Sequence, residues 1–380
     1  MNLTLFACGD VVNYTANSKF IDNELKRIVQ NCDISVCNFE APIKQGRMNP
    51  IKKAGPHVYQ SKESVRYLKE AGFDMLSIAN NHIYDYGDDA LLNTIKEIQK
   101  NNLFYIGGGK NFSEAYQSII IEKKGIKIGF LAVCENEFGC LFEEQDRGGY
   151  SWIFHYKIDD NVKKLKQKVD YVVLLAHAGV EDIEIPIKEW RDRYQRLCDL
   201  GVDVVIGHHP HVPQGYEQYN DKLIFYSLGN FYFDTNAFNN NSDDSFSVIL
   251  KFHKTRKIDF DIIYHKKINA QTCLVGKQEV SFSLDYLNSL LDNNYNKRND
   301  DISLELFNRY YHGYYESALN AIPKKLNWLR KIKFFFKTII CHKENEHSMN
   351  LLLLHNIRID SHRFTVQRAL SLISETGYKA

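Results

Sequence analysis

The chain has 380 residues, of which 44% are hydrophobic and 25% are charged, the ordinary balance of a globular protein with one large domain or two. Lysine and arginine number 48 against 47 aspartates and glutamates, so no nucleic-acid partner is expected. Eight cysteines without a CxxC pair favour reduced thiols and exclude an obvious disulfide framework.

The chain opens with a predicted strand, Leu3–Cys8, and not with a basic leader or a long apolar run. This beginning gives no sign of a signal peptide or of a membrane-spanning helix, so we expect a cytoplasmic location. Strand and helix signals then alternate over the first half of the chain, which predicts an α/β fold. The predicted strands are Leu3–Cys8, Ile34–Cys37, Met75–Ala79, Phe104–Ile106, a hairpin of Ser118–Ile121 with Ile126–Val133, Tyr171–Ala176 and Val202–Ile206. The predicted helices are Ile21–Val29, Glu63–Glu70, Leu91–Lys100 and Ile187–Leu200.

The pattern changes twice in the second half of the chain. After residue 215 only strands are predicted, which suggests a second, more antiparallel sheet packed on the first. From about residue 280 the pattern is helical to the end. One helical stretch, Pro323–Lys343, carries lysines and arginines beside an apolar stripe and contains no acid. It could lie on an anionic membrane surface as a peripheral contact, or it could be an ordinary helix docked on the core.

Polar side chains follow several predicted strands. His208, His209 and His211 come directly after Val202–Ile206, and Asp10 follows the first strand. The other members of this set are Asn38 and Glu40 after the second strand, Asn80, Asn81 and His82 after the third, and His177 after Tyr171–Ala176. Each group alone could be a turn or a solvated loop. Because the carboxyl ends of parallel strands share one edge of a sheet, we expect these side chains to converge.

The residue types of this set indicate a metal site. Carboxylate oxygens, an amide oxygen and imidazole nitrogens suit Mn, Fe or Zn better than calcium or a thiolate-bound metal. The number of donors suggests two divalent ions that share a bridging carboxylate. Such a pair lowers the pKa of a bound water and clamps a phosphoryl group.

With these residues in place, the sequence resembles the bacterial capsule-synthesis protein family (CapA, named from poly-γ-glutamate biosynthesis), within the calcineurin-like metallophosphoesterase superfamily. The resemblance runs from about residue 3 to about residue 265. The matching segments are Gly9-Asp10, NFEAP (38–42), AGFDMLSIANNHIYDYG (71–87), IGGGKNFSEA (106–115), HAGVE (177–181), IGHHPHVPQGYE (206–217) and YSLGNFYFD (226–234).

The resemblance implies a four-layer αββα sandwich, which we expect over residues 1–270. The helical pattern predicts a C-terminal extension over residues 280–380, and the resemblance does not reach that segment. The resemblance also implies the ligands of two ions. One ion would be held by Asp10, Glu40 and His211, and the other by Glu40, Asn81, His177 and His209. His82 would act on the leaving oxygen with Asp85 orienting it, and His208 would not be a ligand.

The sequence departs from the superfamily pattern at two places. Val12 stands where the superfamily usually has a histidine, and the bridging residue is Glu40 instead of aspartate. The first ion would therefore have one nitrogen ligand fewer.

We expect a metal-dependent hydrolase of the phosphoesterase type that acts in biosynthesis of a capsular or surface polymer, either polysaccharide or poly-γ-glutamate. Its substrate would be the polymer or a phosphoester, and its partner a membrane-bound synthesis machinery. The alternative is a non-catalytic accessory protein of a synthesis or export complex. A structural metal site in a protein of unrelated role is the third reading.

Overall fold

A computed structural model describes residues 2–235, 244–292, 294–319 and 342–376. The contacts divide the chain into two units. The first unit comprises Met1–Ile51 and His57–Asn293, and the second comprises Lys52–Pro56 and Asn294–Ala380. All the predicted site residues belong to the first unit.

The first unit contains the strands of three sheets and seven helices among the described residues. The strands are β1 (Asn2–Asn13), β2 (Ile34–Phe39), β3 (Met75–Ser77), β4 (Phe104–Ile106), β5 (Gly108–Gly109), β6 (Ile119–Lys123), β7 (Ile126–Cys134), β8 (Cys140–Leu141), β9 (Gly149–Ser151), β10 (Tyr171–His177), β11 (Val204–His208), β12 (Tyr216–Tyr219), β13 (Lys222–Phe225), β14 (Asn230–Asp234), β15 (Asp244–His253), β16 (Ile258–Ile268) and β17 (Gln271–Leu274). The helices are α1 (Asn23–Asn31), α2 (Glu63–Ala71), α3 (Gly87–Lys100), α4 (Phe112–Ala115), α5 (Tyr156–Lys166), α6 (Lys188–Leu200) and α7 (Leu284–Ser289).

The largest sheet is built around β1 and has the order β17-β16-β15-β1-β2-β3-β4. Strands β1 to β4 are parallel, whereas β15, β16 and β17 continue the sheet in antiparallel pairs. Strand β14 pairs in parallel with the last residues of β1. The carboxyl end of β1 therefore has a parallel neighbour on each side.

The second sheet has the order β12-β13-β11-β10-β7-β6, and its four inner strands are parallel. A small third sheet has the order β5-β9-β8. The expectation that the strands after residue 215 form a sheet of their own is wrong. Strands β12 and β13 extend the second sheet, while β14 to β17 complete the first, because the edges of β1 and β11 provide unpaired backbone groups for them.

The two large sheets pack face to face, with helices on the outer surfaces. Tyr171 of β10 and Phe252 of β15 meet between the sheets, with ring centroids 4.8 Å apart. Helices α1 and α3 contact strands of the first sheet, and α5 and α6 contact strands of the second. Every residue of β10 is buried, as expected for a parallel strand covered on both faces. The predicted α/β four-layer arrangement is confirmed.

The second unit is helical in its described residues. It contains α8 (Tyr295–Leu306), a π-helical turn (Phe307–Tyr311), α9 (His312–Ala318), α10 (His342–Arg358) and α11 (Asp360–Thr376). The basic segment Pro323–Lys343 lies outside the described residues except for its last two positions. Within the described ranges, no helix combines the length and the apolar character needed to cross a membrane.

Candidate metal centre

The predicted ligands are placed by the carboxyl ends of strands from both large sheets. Asp10 lies near the end of β1, directly between Asn38 of β2 and Asn230 of β14. Glu40 follows β2, and Asn81 follows β3. His177 is the last residue of β10, and His209 and His211 follow β11. Strand ends are rigid, so the backbone fixes where each side chain begins.

Asp10, Glu40 and His177 form the centre of the cluster. One ligand atom from each of these three side chains lies within 4.8 Å of the other two. His177 Nδ1 is 3.8 Å from Asp10 Oδ1, and His177 Nε2 is 3.7 Å from Glu40 Oε1. The exposed fraction of each residue is 1% or less. Two carboxylates and an imidazole thus share one buried space.

His209, Asn81 and His211 complete the cluster. His177 Nε2 lies 3.0 Å from His209 Nδ1 and also 3.0 Å from Asn81 Oδ1. His211 Nδ1 is 3.5 Å from Asp10 Oδ2, and its Nε2 is 3.5 Å from Glu40 Oε1. All six residues predicted as metal ligands therefore meet in one place.

The backbone that carries the two last histidines is in an unusual conformation. His209 has φ of 96° and His211 has φ of 60°, a region that side-chain-bearing residues rarely adopt. Pro210 separates them, and the backbone N–H of His209 donates to Asp10 Oδ2 at 3.3 Å. Such strain persists only where the surrounding structure enforces it, and it is concentrated at functional sites.

Burial and neighbouring charges shift the pKa values of the cluster's carboxyl and imidazole groups. Burial raises the pKa of Glu40, and the neighbouring Asp10 raises it further. Burial also acts on Asp10, but the hydrogen bond from His211 and the nearby histidine charges bring its pKa below the usual range. The pKa of His177 is lowered by burial and by His209, whereas Glu40 and Asp10 outweigh burial at His211 and raise its pKa to about 10.

These residues fit a divalent cation. Among the described residues, Glu40 Oε1 is a buried carboxylate oxygen without a hydrogen-bond partner. An isolated buried carboxylate is costly, and a positive ion beside it removes that cost. The donors are oxygens and imidazole nitrogens, and no cysteine sulfur is among them, which matches the preference of Mn, Fe and Zn.

His82 and Asp85 form a buried pair next to this cluster in sequence. His82 follows the ligand candidate Asn81 directly, and its Nδ1 lies 2.7 Å from Asp85 Oδ2. The same carboxylate oxygen accepts the backbone N–H of Val58 at 2.8 Å. Asp85 is thus fixed by a second contact and in turn fixes the orientation of the His82 ring.

Glu135 belongs to the site but was not predicted from the sequence. Its Oε1 lies 3.5 Å from His209 Nε2 and accepts the backbone N–H of Gly179 at 3.2 Å. Glu135 directly follows β7, which is parallel to β10 and ends beside His177. The rule that located the other ligands, a polar residue after a buried strand, would have found it.

His208 and Val12 lie close in sequence to predicted ligands but make other contacts. His208 is buried, but its Nε2 lies 3.1 Å from the backbone oxygen of Cys8, and so it is turned to the backbone of β1. Val12 lies in a buried apolar cluster with Ala41, Val58 and Phe233, and the Phe233 ring is 4.8 Å from the His211 ring. Val12 therefore belongs to an apolar cluster that contacts the His211 ring.

Comparisons with known proteins bear on the same region. The family model of the bacterial capsule synthesis protein PGA_cap matches residues 4–235. A capsule biosynthesis protein CapA of Bacillus anthracis is 31% identical over 221 residues, or 57% of this chain and 54% of that protein. A PGA biosynthesis protein CapA of Bacillus subtilis is 33% identical over 208 residues, or 54% of this chain and 55% of that protein.

The chain thus spans about half the length of these two curated relatives. Among solved structures, a phosphatase of Mycoplasma pneumoniae aligns with 71% of this chain and 96% of its own, at 16% identity and a TM-score of 0.46.

Proposed function

Because the chain belongs to the bacterial capsule synthesis protein family PGA_cap, we propose that it is a metal-dependent hydrolase of the phosphoesterase type that serves synthesis of a capsular or other surface polymer. The observation that carries this proposal is the buried convergence of Asp10, Glu40 and His177, with an oxygen of Glu40 that lacks a hydrogen bond in the described structure. Two buried carboxylates side by side destabilise the fold unless a cation binds there. Groups in such an environment are concentrated at functional sites.

The residues of the site would have distinct roles. Asp10, Glu40, Asn81, His177, His209 and His211 would hold one or two divalent ions of Mn, Fe or Zn. Ions at such a site lower the pKa of a bound water and neutralise charge on a phosphoryl group. Asp85 accepts from His82 Nδ1, so the Nε2 atom of His82 is the ring position that can deliver a proton to the leaving oxygen.

The substrate and partners are part of the proposal. The names of the Bacillus relatives refer to capsule and PGA biosynthesis, which supports a surface polymer or its phosphoester precursor as the substrate. The family's role in such synthesis also supports a partnership with membrane-bound synthesis machinery.

The test is cleavage of a generic phosphodiester by the purified full chain with added Mn²⁺. We expect metal-dependent hydrolysis, with His82→Ala lowering kcat by a factor of about 10² to 10⁴, as is typical for loss of a general acid. His82→Ala should bind metal as the unchanged protein does. An inactive chain that binds its full complement of metal would contradict the proposal.

A non-catalytic accessory role is the second candidate, and one observation favours it. Val12 is packed in an apolar cluster at the position where the superfamily usually has a histidine. A site with fewer ligands would suit a protein that uses the fold as a binding platform. Asn81→Ala and His82→Ala variants distinguish the two roles in cells, since a platform would support normal polymer output in both.

A further inference from the structure

A lysine held between two tyrosine rings lies on the same strand-end edge as the metal centre. Lys44 Nζ is 4.6 Å from the ring centroid of Tyr59 and 4.7 Å from that of Tyr86. Tyr59 and Tyr86 are themselves in edge contact, with centroids 5.7 Å apart. We call Lys44, Tyr59 and Tyr86 the lysine clamp.

The charge of Lys44 is not neutralised by a neighbouring acid. Both contacts of its ammonium are with tyrosine rings, and across the described residues no carboxylate lies at ion-pair distance from it. The side chain is half-buried, as are those of Tyr59 and Tyr14. Ring faces hold a cation without cancelling its charge, so an ammonium in such a setting still attracts an anion.

Hydrogen bonds of residues next to the lysine clamp connect it with the segments that carry the metal centre. Asp85 Oδ2, which orients His82, also accepts the backbone N–H of Val58, and Tyr86 follows Asp85 as Tyr59 follows Val58. Gln60 Nε2 donates to the backbone oxygens of Val11 and Ala41, each one residue from a predicted ligand.

Contacts of Val58, the residue before Tyr59, lead from the clamp towards the metal centre. Val58 belongs to the buried cluster that includes Phe233, and the Phe233 ring contacts the His211 ring at 4.8 Å. Lys44 itself is four residues after Glu40. The clamp is therefore positioned to bind a part of the substrate adjacent to the group that reacts at the metal centre.

The chemistry of the clamp selects a carboxylate. One ammonium matches the single charge of a carboxylate, and the clamp has none of the paired donors with which arginine binds phosphate bidentately. The half-buried ring of Tyr59 can also cover methylene groups that link carboxylates along a chain, and Tyr14 adds a hydroxyl 3.1 Å from that of Tyr59.

We propose that the lysine clamp binds a carboxylate-bearing segment of the substrate polymer beside the metal centre. This inference rests on the proposed function in taking the substrate to be a surface polymer, but the binding itself requires no turnover.

The test is calorimetric titration of the full chain, with saturating MnCl₂, by a γ-linked glutamate pentamer and by the same pentamer with its carboxylates converted to amides. We expect Lys44→Gln to weaken binding of the acidic pentamer about tenfold, a loss of about 1.4 kcal/mol. Lys44→Arg should restore most of the affinity because it keeps the charge over the rings. Lys96→Gln, which removes an exposed lysine of α3, is the matched control and should bind as the unchanged protein does.

Equal affinity of Lys44→Gln and Lys96→Gln would overturn the inference, as would equal affinity for the acidic and amidated pentamers. Binding of a glycerol-phosphate oligomer in place of the acidic pentamer would overturn the assignment to carboxylates. Lys44-dependent binding by a chain without hydrolase activity would support the clamp while removing the proposed function. Metal content and circular dichroism of each variant verify that the site and the fold are intact.

Discussion

At the scale of single residues, His209 is held on both sides of its ring. Its Nδ1 faces His177 at 3.0 Å, and its Nε2 faces Glu135 Oε1 at 3.5 Å. A carboxylate behind a histidine fixes which ring nitrogen carries the proton and makes the other nitrogen a better ligand. Glu135 therefore acts on the metal centre through His209, as a positioning residue.

Glu135→Gln tests this role with little change in side-chain size. We expect metal affinity to fall about 10- to 100-fold, the usual effect of removing a supporting carboxylate. Competition with a coloured chelator measures the affinity. Glu122→Gln, at an exposed glutamate of β6, is the control and should leave metal affinity unchanged. Unchanged affinity in Glu135→Gln would show that its carboxylate has no influence on the site.

A second residue-scale prediction concerns the pH dependence of stability. His265 is fully buried, with Nε2 3.0 Å from Ser247 Oγ, and burial lowers its pKa to about 3. The unfolded chain binds a proton at this histidine below a pH of about 6.5, whereas the folded chain does not until about pH 3. Its contribution to stability is therefore complete at pH 7 and declines as pH falls.

From pH 7 to pH 5 this residue alone should lower the free energy of unfolding by about 2 kcal/mol. We expect His265→Gln to remove that part of the pH dependence in urea unfolding with EDTA present. His253→Gln, at a histidine of β15 that is one-third exposed, should keep it. Equal pH dependence in the two variants would contradict the explanation.

At the scale of elements, β1 depends on a very close approach of β14. A Cβ atom at Gly9 would lie only 1.7 Å from the backbone oxygen of Gly229, and Asp10 N donates to that same oxygen at 3.1 Å. Gly229 has φ of 75°, which favours glycine there as well. These two glycines let β14 lie beside β1 and thereby fix the start of the Asp10 side chain.

Gly9→Ala should force β1 and β14 apart. We expect a loss of at least about 1 to 3 kcal/mol in the free energy of unfolding, typical of an overpacked core, together with weaker metal binding as Asp10 moves. Gly313→Ala in α9 is the control, because a Cβ there meets nothing within 4 Å. Urea unfolding and metal titration measure both effects, and wild-type metal affinity in Gly9→Ala would refute the link between the glycine pair and the site.

The elements also explain which parts of the structure could be predicted from the sequence. The convergence of the polar side chains is predictable because each group follows a buried parallel strand, and such strands end at a common edge. The choice of the six ligands among them, and the His82–Asp85 pair, come from the family resemblance. Glu135 was missed because Ile126–Val133 was interpreted only as part of a hairpin. Strand β7 is indeed antiparallel to β6, but its other edge is parallel to β10.

Pairing between distant strands could not be predicted in the same way. Alternation of residue types predicts that a strand exists, but not which edge it joins. The strands after residue 215 therefore looked like a separate sheet, although β15 pairs with β1 and β13 pairs with β11. The lysine clamp was also not predicted, since nothing local to Lys44 indicates that two tyrosine rings will enclose it.

At the scale of the whole molecule, the metal centre joins the two large sheets. Asp10, Glu40 and Asn81 come from the first sheet, while His177, His209 and His211 come from the second. An ion bound by both groups would act as a cross-link between the sheets of the first unit. Its binding free energy would then be part of the stability of that unit.

Added Mn²⁺ should therefore stabilise the chain by about 2.7 kcal/mol at a concentration one hundred times its dissociation constant. Urea unfolding followed by tryptophan fluorescence measures this gain, because Trp190 is buried in the first unit. Asp10→Asn should lose most of the gain, while Asp89→Asn, at an exposed position in α3, should keep it. An equal gain in both variants would place the ion elsewhere.

The position of β1 has a consequence for the order of events during protein synthesis. β1 leaves the ribosome well before its neighbours on one side, because β14 and β15 are made more than two hundred residues later. Until then β1 has an open edge, at which the nascent chain is most exposed to pairing with other chains. An ion held by all six predicted ligands could be bound only after the segment that carries His209 and His211 has been translated.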